Sequence, residues 1–204
     1  MNTNIKDHII DRTSPPSERL GGADRIILGI DPGTNIMGYG LLLEKGSSVE
    51  LITMGVLKLA RYDNQALKLK KIFERTLAII DEYHPDELSI EAPFHGKNVQ
   101  SMLKLGRAQG VAMAAALYRD IPIFEYSPKK IKMSVTGSGS ASKEQVAAML
   151  QTILKHHQTA EYFDATDGLA AAVCHYLQRR NTHTASSYSG WKSFLTDNPG
   201  RVIK

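Results

Sequence analysis

The chain has 204 residues, 42% of them hydrophobic and 23% charged, enough for one domain with a full core and too few for two large ones. No apolar run reaches the roughly 18 residues of a membrane span, and residues 1–24 carry neither an apolar secretory core nor a small-residue cleavage site, so a cytoplasmic protein is expected. The net charge of +4 is modest, but the basic residues gather along Lys68–Arg75, Lys97–Arg107 and Lys129–Lys143, which suits a polyanionic partner as well as it suits solvated helix faces.

Residues 1–24, with Ser14-Pro15-Pro16 and Gly21-Gly22, lack periodicity and read as a mobile extension. RIILGID at 25–31 is a strand buried on both faces that ends in a carboxylate, Asp31. Asp-Pro-Gly is turn chemistry, with Pro32 fixing φ and Gly33 free to take positive φ; a rigid strand end can equally hold Asp31 out for chemistry. GYGLLLEK and SVELITMGVLKL, joined by Lys45-Gly46-Ser47-Ser48, complete an antiparallel three-strand meander. Leu69, Phe73, Leu77 and Ile80 form the stripe of an amphipathic helix over 64–83, stopped by His84-Pro85. DELSIEAPF is a further short strand, with Glu91 anomalous in it.

A long helix follows over 98–118, with Gly106, Gly110 and Ala114 four apart on one face. Each Gly costs about 1 kcal/mol of helix propensity relative to Ala, so something is expected to pack close there, either a second copy or the chain's own sheet. IPIFEYS is a strand, then come the basic segment PKKIKMSV and a flexible GSGSAS. Ser142 with Gln145 gives a capping box for a helix to about His157. The last helix spans about Ala165–Arg180 with Asp164 at its start, and Cys174, the single cysteine, reads as buried in LAAAVCHYL. Residues 181–204, with isolated Trp191 and Phe194, read as a tail. Strands that meander and then alternate with helices indicate an α/β domain over 25–180 with a mixed five-stranded sheet.

A carboxylate in an apolar strand is costly unless paired or metal-bound. Glu91 fits an exposed strand end, and Asp164 with Asp167 fits helix capping, yet adjacent strand ends and one helical turn could bring Asp31, Glu91, Asp164 and Asp167 together. Four carboxylates without Lys or Arg inside their motifs call for divalent cations. Hard oxygen donors, with no Cys or His at ligand spacing, argue for Mg²⁺ or Mn²⁺ over zinc, and two such ions can activate a water and stabilise the leaving oxygen in phosphodiester hydrolysis.

GIDPGT with GYG, SIEAPF followed by KN, LKLGRAQGVA, FEYSPKKIK, TGSGSASKEQV and DATDGLA, in this order and spacing over about residues 25–178, closely resemble the RuvC family of Holliday-junction endonucleases. The resemblance implies a ribonuclease H-like fold, a homodimer, Mg²⁺ dependence and paired incisions across a four-way DNA junction, beside the RuvA and RuvB branch-migration proteins. By position, Asp31, Glu91, Asp164 and Asp167 match the family's catalytic acids, Phe94 its base-inserting aromatic residue, and Lys132 and Lys143 basic residues near the scissile phosphate. Lys129 and Lys130 join these as expected phosphate contacts. Gly168 stands where Ala is common. Rival readings are a sugar kinase or actin-like ATPase, for which one domain is too little, a non-catalytic junction-binding module, and a ribonuclease H-like nuclease acting on another nucleic acid.

Overall fold

A computed structural model describes residues 24–93, 98–155 and 163–184. Five strands form one sheet in the order β3-β2-β1-β4-β5: β1 (Arg25–Asp31), β2 (Ile36–Lys45), β3 (Ser48–Lys58), β4 (Glu87–Glu91) and β5 (Ile123–Tyr126). β1, β2 and β3 pair antiparallel, while β1, β4 and β5 run parallel, giving the mixed sheet that the meander followed by strand-helix alternation predicts.

Period-two alternation divides β1 between two cores. Ile26, Leu28 and Ile30 face a cluster built with helices α1 (Gln65–Tyr83) and α2 (Val99–Leu117). Ile27 faces the opposite cluster, built with α3 (Pro128–Thr136), α4 (Lys143–Leu154) and α5 (Phe163–Thr184). The sheet is thus sandwiched between helical layers, and residues 27, 29 and 31 share the α5 side.

On that side α5 lies unusually close. A Cβ on Gly29 would run into the Gly168 carbonyl oxygen, and one on Gly168 would stand 2.6 Å from the Tyr39 Cα, so this chain's Gly168 lets the helix sit against β2 where alanine would force a shift. Ser89 Oγ donates to the Ala171 carbonyl at 2.6 Å, tying β4 to the same helix. Further along α5, buried His175 bridges Glu87 Oε2 at 2.8 Å and the Tyr126 hydroxyl at 2.7 Å, with the Phe124 ring stacked 4.2 Å away. Burial by itself raises the Glu87 carboxyl, but the hydrogen bond from His175 and the Arg179 charge outweigh it and hold the group below its ordinary range.

Several local expectations change. The basic segment after β5 is helix α3, capped by the Ser127 side chain with Pro128 at its first position, and the Gly/Ser stretch is tied down by Thr136 and Ser138 hydrogen bonds. Gly33 is not among the positive-φ residues; a Cβ there would overlap the Ile36 carbonyl, so its role is close backbone approach. The capping box of α4 is present, but the helix ends at Leu154 with Lys155 in the left-handed region. α5 starts before Asp164 and runs to Thr184, four residues into the expected tail. The N-terminal extension before Asp24, and Trp191 and Phe194, lie outside the described residues.

Finally, Cβ atoms on Gly106 and Gly110 would meet nothing within 4 Å among the described residues, so that face of α2 does not pack on the chain's own sheet. Ala108, Ala112 and Ala116 make the buried seam instead. Val99, Leu103, Leu117 and Tyr118 are exposed, from 49% to 67%.

Candidate active site

β1 and β4 are parallel neighbours whose last registered pair is Ile30 with Ile90, so Asp31 and Glu91, paired on their other edges with Gly38 and Tyr126, end their strands side by side. Each lies two residues beyond a position already in contact with α5: Gly29 abuts the helix and Ser89 bonds to it. Their carboxylates therefore point toward the helix's first turns, where Asp164 and Asp167 stand three apart on one side. Carboxylates gather at the carboxyl ends of parallel strands, the usual position of sites in such sheets.

Asp31, Glu91 and Asp167 line one pocket of about 150 Å³ together with Pro128, Ile131, Lys132, Lys143, Val146 and Ala170. α3 and α4 close the side opposite the sheet: Ile131 and Val146 are buried in the core while Lys132 and Lys143, one residue on and three residues back, reach the opening. The Lys143 ammonium stands 2.6 Å from Asp167 Oδ2 and 3.9 Å from Asp164 Oδ1. Asp164 is the most open of the four, its side chain 47% exposed against 19% for Asp167.

The electrostatics follow from this crowding. Burial pushes the Asp31 carboxyl from 3.8 up to about 8, with repulsion from Glu91 and Asp167 adding to it. Glu91 rises to about 7 for the same reasons, burial first and then Asp167, although Lys143 and Lys132 pull it down. Lys143 moves upward, chiefly through its hydrogen bond to Asp167. The pocket is a place where negative charge is held under strain and Lys143 and Lys132 supply partial compensation. Among the described residues no three His, Cys, Asp or Glu side chains converge at metal-ligating distance.

Of the residues singled out from sequence, the structure brings Asp31, Glu91, Asp167, Lys132 and Lys143 to one pocket and joins Asp164 to it through Lys143. Lys129 and Lys130 are exposed on α3 and do not line it. Phe94 lies outside the described residues. The sequence reading missed Lys68, whose ammonium donates to the Thr34 carbonyl at 3.1 Å and fastens α1 to the loop after Asp31. It also missed Gln109, discussed below.

The family model for crossover junction endodeoxyribonuclease RuvC matches residues 27–175. The chain is 62% identical over 183 residues to a crossover junction endodeoxyribonuclease RuvC of Bacteroides fragilis, covering 88% of this chain and 96% of that protein. It is 57% identical over 194 residues to that of Cytophaga hutchinsonii, covering 95% and 94%. Among solved structures it is similar to Thermus thermophilus RuvC in complex with a Holliday junction substrate, with a TM-score of 0.72 and 28% identity over 78% of this chain and 96% of that one. A yeast mitochondrial Holliday junction resolvase, 15% identical with a TM-score of 0.57 over 88% and 86%, shares the fold.

Proposed function

The chain belongs to the RuvC family of crossover junction endodeoxyribonucleases and is a nuclease that resolves Holliday junctions, and on that premise we propose that its four acidic residues hold the divalent cations of the reaction. The observation that carries this is the strained pocket: Asp31, Glu91 and Asp167 crowd together at the strand ends, two of them driven well above the ordinary carboxylate range, with only lysine charge to offset them. Oxygen donors alone suit a hard cation, Mg²⁺ in the cell and Mn²⁺ as a substitute. When bound, such ions supply an activated water and stabilise the leaving oxygen of a phosphodiester.

The chain's own residues do the rest. β1 and β4 hold Asp31 and Glu91 rigidly, because each strand is pinned to α5 two residues earlier. Lys132 and Lys143 border the opening, where they attract the DNA backbone and stabilise charge on the phosphate under attack. Lys129 and Lys130, exposed on the same helix, extend that basic surface to phosphates farther along the strand. Phe94, placed by sequence three residues after Glu91, stacks on a base opened at the junction.

One site makes one nick, whereas a four-way junction with approximate two-fold symmetry needs two on opposed strands, so the working unit is a closed two-fold dimer. The exposed face of α2, open at Gly106 and Gly110 and flanked by Leu103, Leu117 and Tyr118, is its contact surface. We place the domain at residues 25–184 and its work in the cytoplasm, beside RuvA and RuvB. Among the described residues no helix is long and apolar enough to cross a membrane.

The test is incubation of the protein with a mobile synthetic four-way junction, a linear duplex and a replication fork in Mg²⁺. Symmetric nicks on the four-way junction alone are expected. Equal cutting of the linear duplex would favour a ribonuclease H-like nuclease of another substrate, and binding without cutting would favour a non-catalytic junction module.

A further inference from the structure

Glu91 ends β4, and its main-chain carbonyl lies past the last registered β1–β4 pair at Ile90. Beyond it, Ala92 is tied to β5 by its N–H to the Tyr126 carbonyl at 2.9 Å, and the chain then leaves the sheet. The carbonyl side of that same Glu91–Ala92 peptide is held by a side chain of α2. Gln109, only 7% exposed, donates from Nε2 to the Glu91 carbonyl at 3.4 Å and to Glu125 Oε2 at 2.8 Å.

A buried amide on an otherwise alanine-lined helix face is an expensive choice unless its hydrogen bonds matter, because leaving it unpaired costs desolvation that an apolar residue would avoid. The neighbours in this seam, Ala108 and Ala112, show that the face requires small apolar residues for packing. Gln109 instead reaches across to the end of β4, one of the two strand ends that carry a pocket carboxylate. Glu125 accepts its shorter bond and fixes the amide's orientation, which leaves Nε2–H aimed at the Glu91 carbonyl.

We infer that Gln109 is a positioning residue for the cleavage reaction, holding the Glu91 peptide so that its carboxylate meets the pocket at a fixed angle. It touches neither substrate nor the reacting atoms. The inference rests on the reading of Glu91 as a metal-holding carboxylate. Outer partners that orient such ligands are typically worth 10–100-fold in metal affinity or activity, so a loss of about tenfold is expected here.

The decisive comparison uses the full-length protein and separates the two bonds of Gln109. In the double variant Gln109→Glu with Glu125→Gln, residue 125 becomes the donor and the 109–125 bond is retained, but nothing at 109 can donate to the Glu91 carbonyl. In Gln109→Lys a donor remains and pairs with Glu125. Two quantities are read: single-turnover junction cleavage across Mg²⁺ concentrations, and the Mg²⁺ concentration that half-completes the rise in melting temperature without DNA. The swapped variant is expected to need about tenfold more Mg²⁺ by both measures with unchanged junction binding, and Gln109→Lys to stay within about twofold of the original protein. A swapped variant with the original Mg²⁺ dependence would overturn the inference, because pairing with Glu125 alone would then account for Gln109. If the swapped protein does not fold, Gln109→Met, which loses both bonds, is compared on the same two readouts with Glu125→Ala, which loses only the 109–125 bond; equal Mg²⁺ dependence of the two would overturn the inference. If Gln109→Lys does not fold, the donor-free variants carry the comparison. Glu91→Gln is run alongside: normal cleavage and Mg²⁺ response in that variant would sink the reading of Glu91 itself, whatever Gln109 does.

Discussion

Replacing Asp31 by Asn should stabilise the metal-free protein while destroying its nuclease activity. The Asp31 carboxyl goes from 3.8 to about 8 on folding, through burial first and then repulsion from Glu91 and Asp167. Between those values the folded protein binds more protons than the unfolded chain, so folding stability falls as pH rises from about 4, and the full cost is reached above about 8. At about 1.4 kcal/mol per tenfold change in proton affinity the ceiling is on the order of 6 kcal/mol. Water entry and relaxation screen such a site strongly, and the repulsion is shared with Glu91, so about 2 kcal/mol is the working size. For a chain of this length that corresponds to a rise in Tm of about 4–8 °C. The assay is calorimetric melting in EDTA from pH 5 to 9, the original protein beside Asp31→Asn. The difference should be smallest at pH 5 and largest near pH 9. Added Mg²⁺ should narrow it, because ions bound only by the folded original protein stabilise that protein alone. An amide variant that melts with or below the original at pH 8.5 in EDTA would refute the reasoning.

Lys132→Ala and Lys143→Ala should each weaken binding to all junction sequences alike and reduce the slope of log affinity against log salt by about 1, measured by titration at several salt concentrations. Gly110→Leu, on the open face of α2, should give a folded monomer by light scattering that no longer makes paired nicks; a folded dimer with paired nicking would exclude this face. His175→Leu removes two bonds at once but leaves Glu87 paired with Arg25 and Arg179, so a loss of about 2 kcal/mol, or roughly 4–8 °C in Tm, is expected by thermal denaturation.

Much of the site was legible because the signals were violations of burial. Asp31 closing RIILGI and Glu91 closing LSI are carboxylates where strand patterning demands apolar residues, and such conflicts between local pattern and residue type mark sites. Apart from α3, the order of strands and helices followed from periodicity together with turn and capping residues. Helix α3 was hidden because four of its nine residues are Lys or Ser and its apolar pair, Ile131 and Val135, makes barely one turn of pattern. Missing that helix merged its lysines into one cluster, whereas helical phase turns Lys132 to the pocket beside Ile131 and sends Lys129 and Lys130 outward. Gln109 was invisible for another reason: a polar residue in a helix reads as solvent-facing until tertiary packing shows otherwise. The small-residue stripe was seen, but its partner was not, since a glycine facing open space and one pressed on a sheet look alike in sequence.

The claim at the centre of this account is that the four carboxylates perform chemistry on a junction that other residues bind. The most direct measurement takes one labelled four-way junction and compares the original protein with Glu91→Gln, scoring affinity and single-turnover cleavage in the same Mg²⁺ buffer. Glu91→Gln should bind with affinity equal to the original or tighter, as repulsion of DNA phosphates falls, and cleave more slowly by roughly a thousandfold or more. Cleavage by Glu91→Gln at the original rate would contradict it.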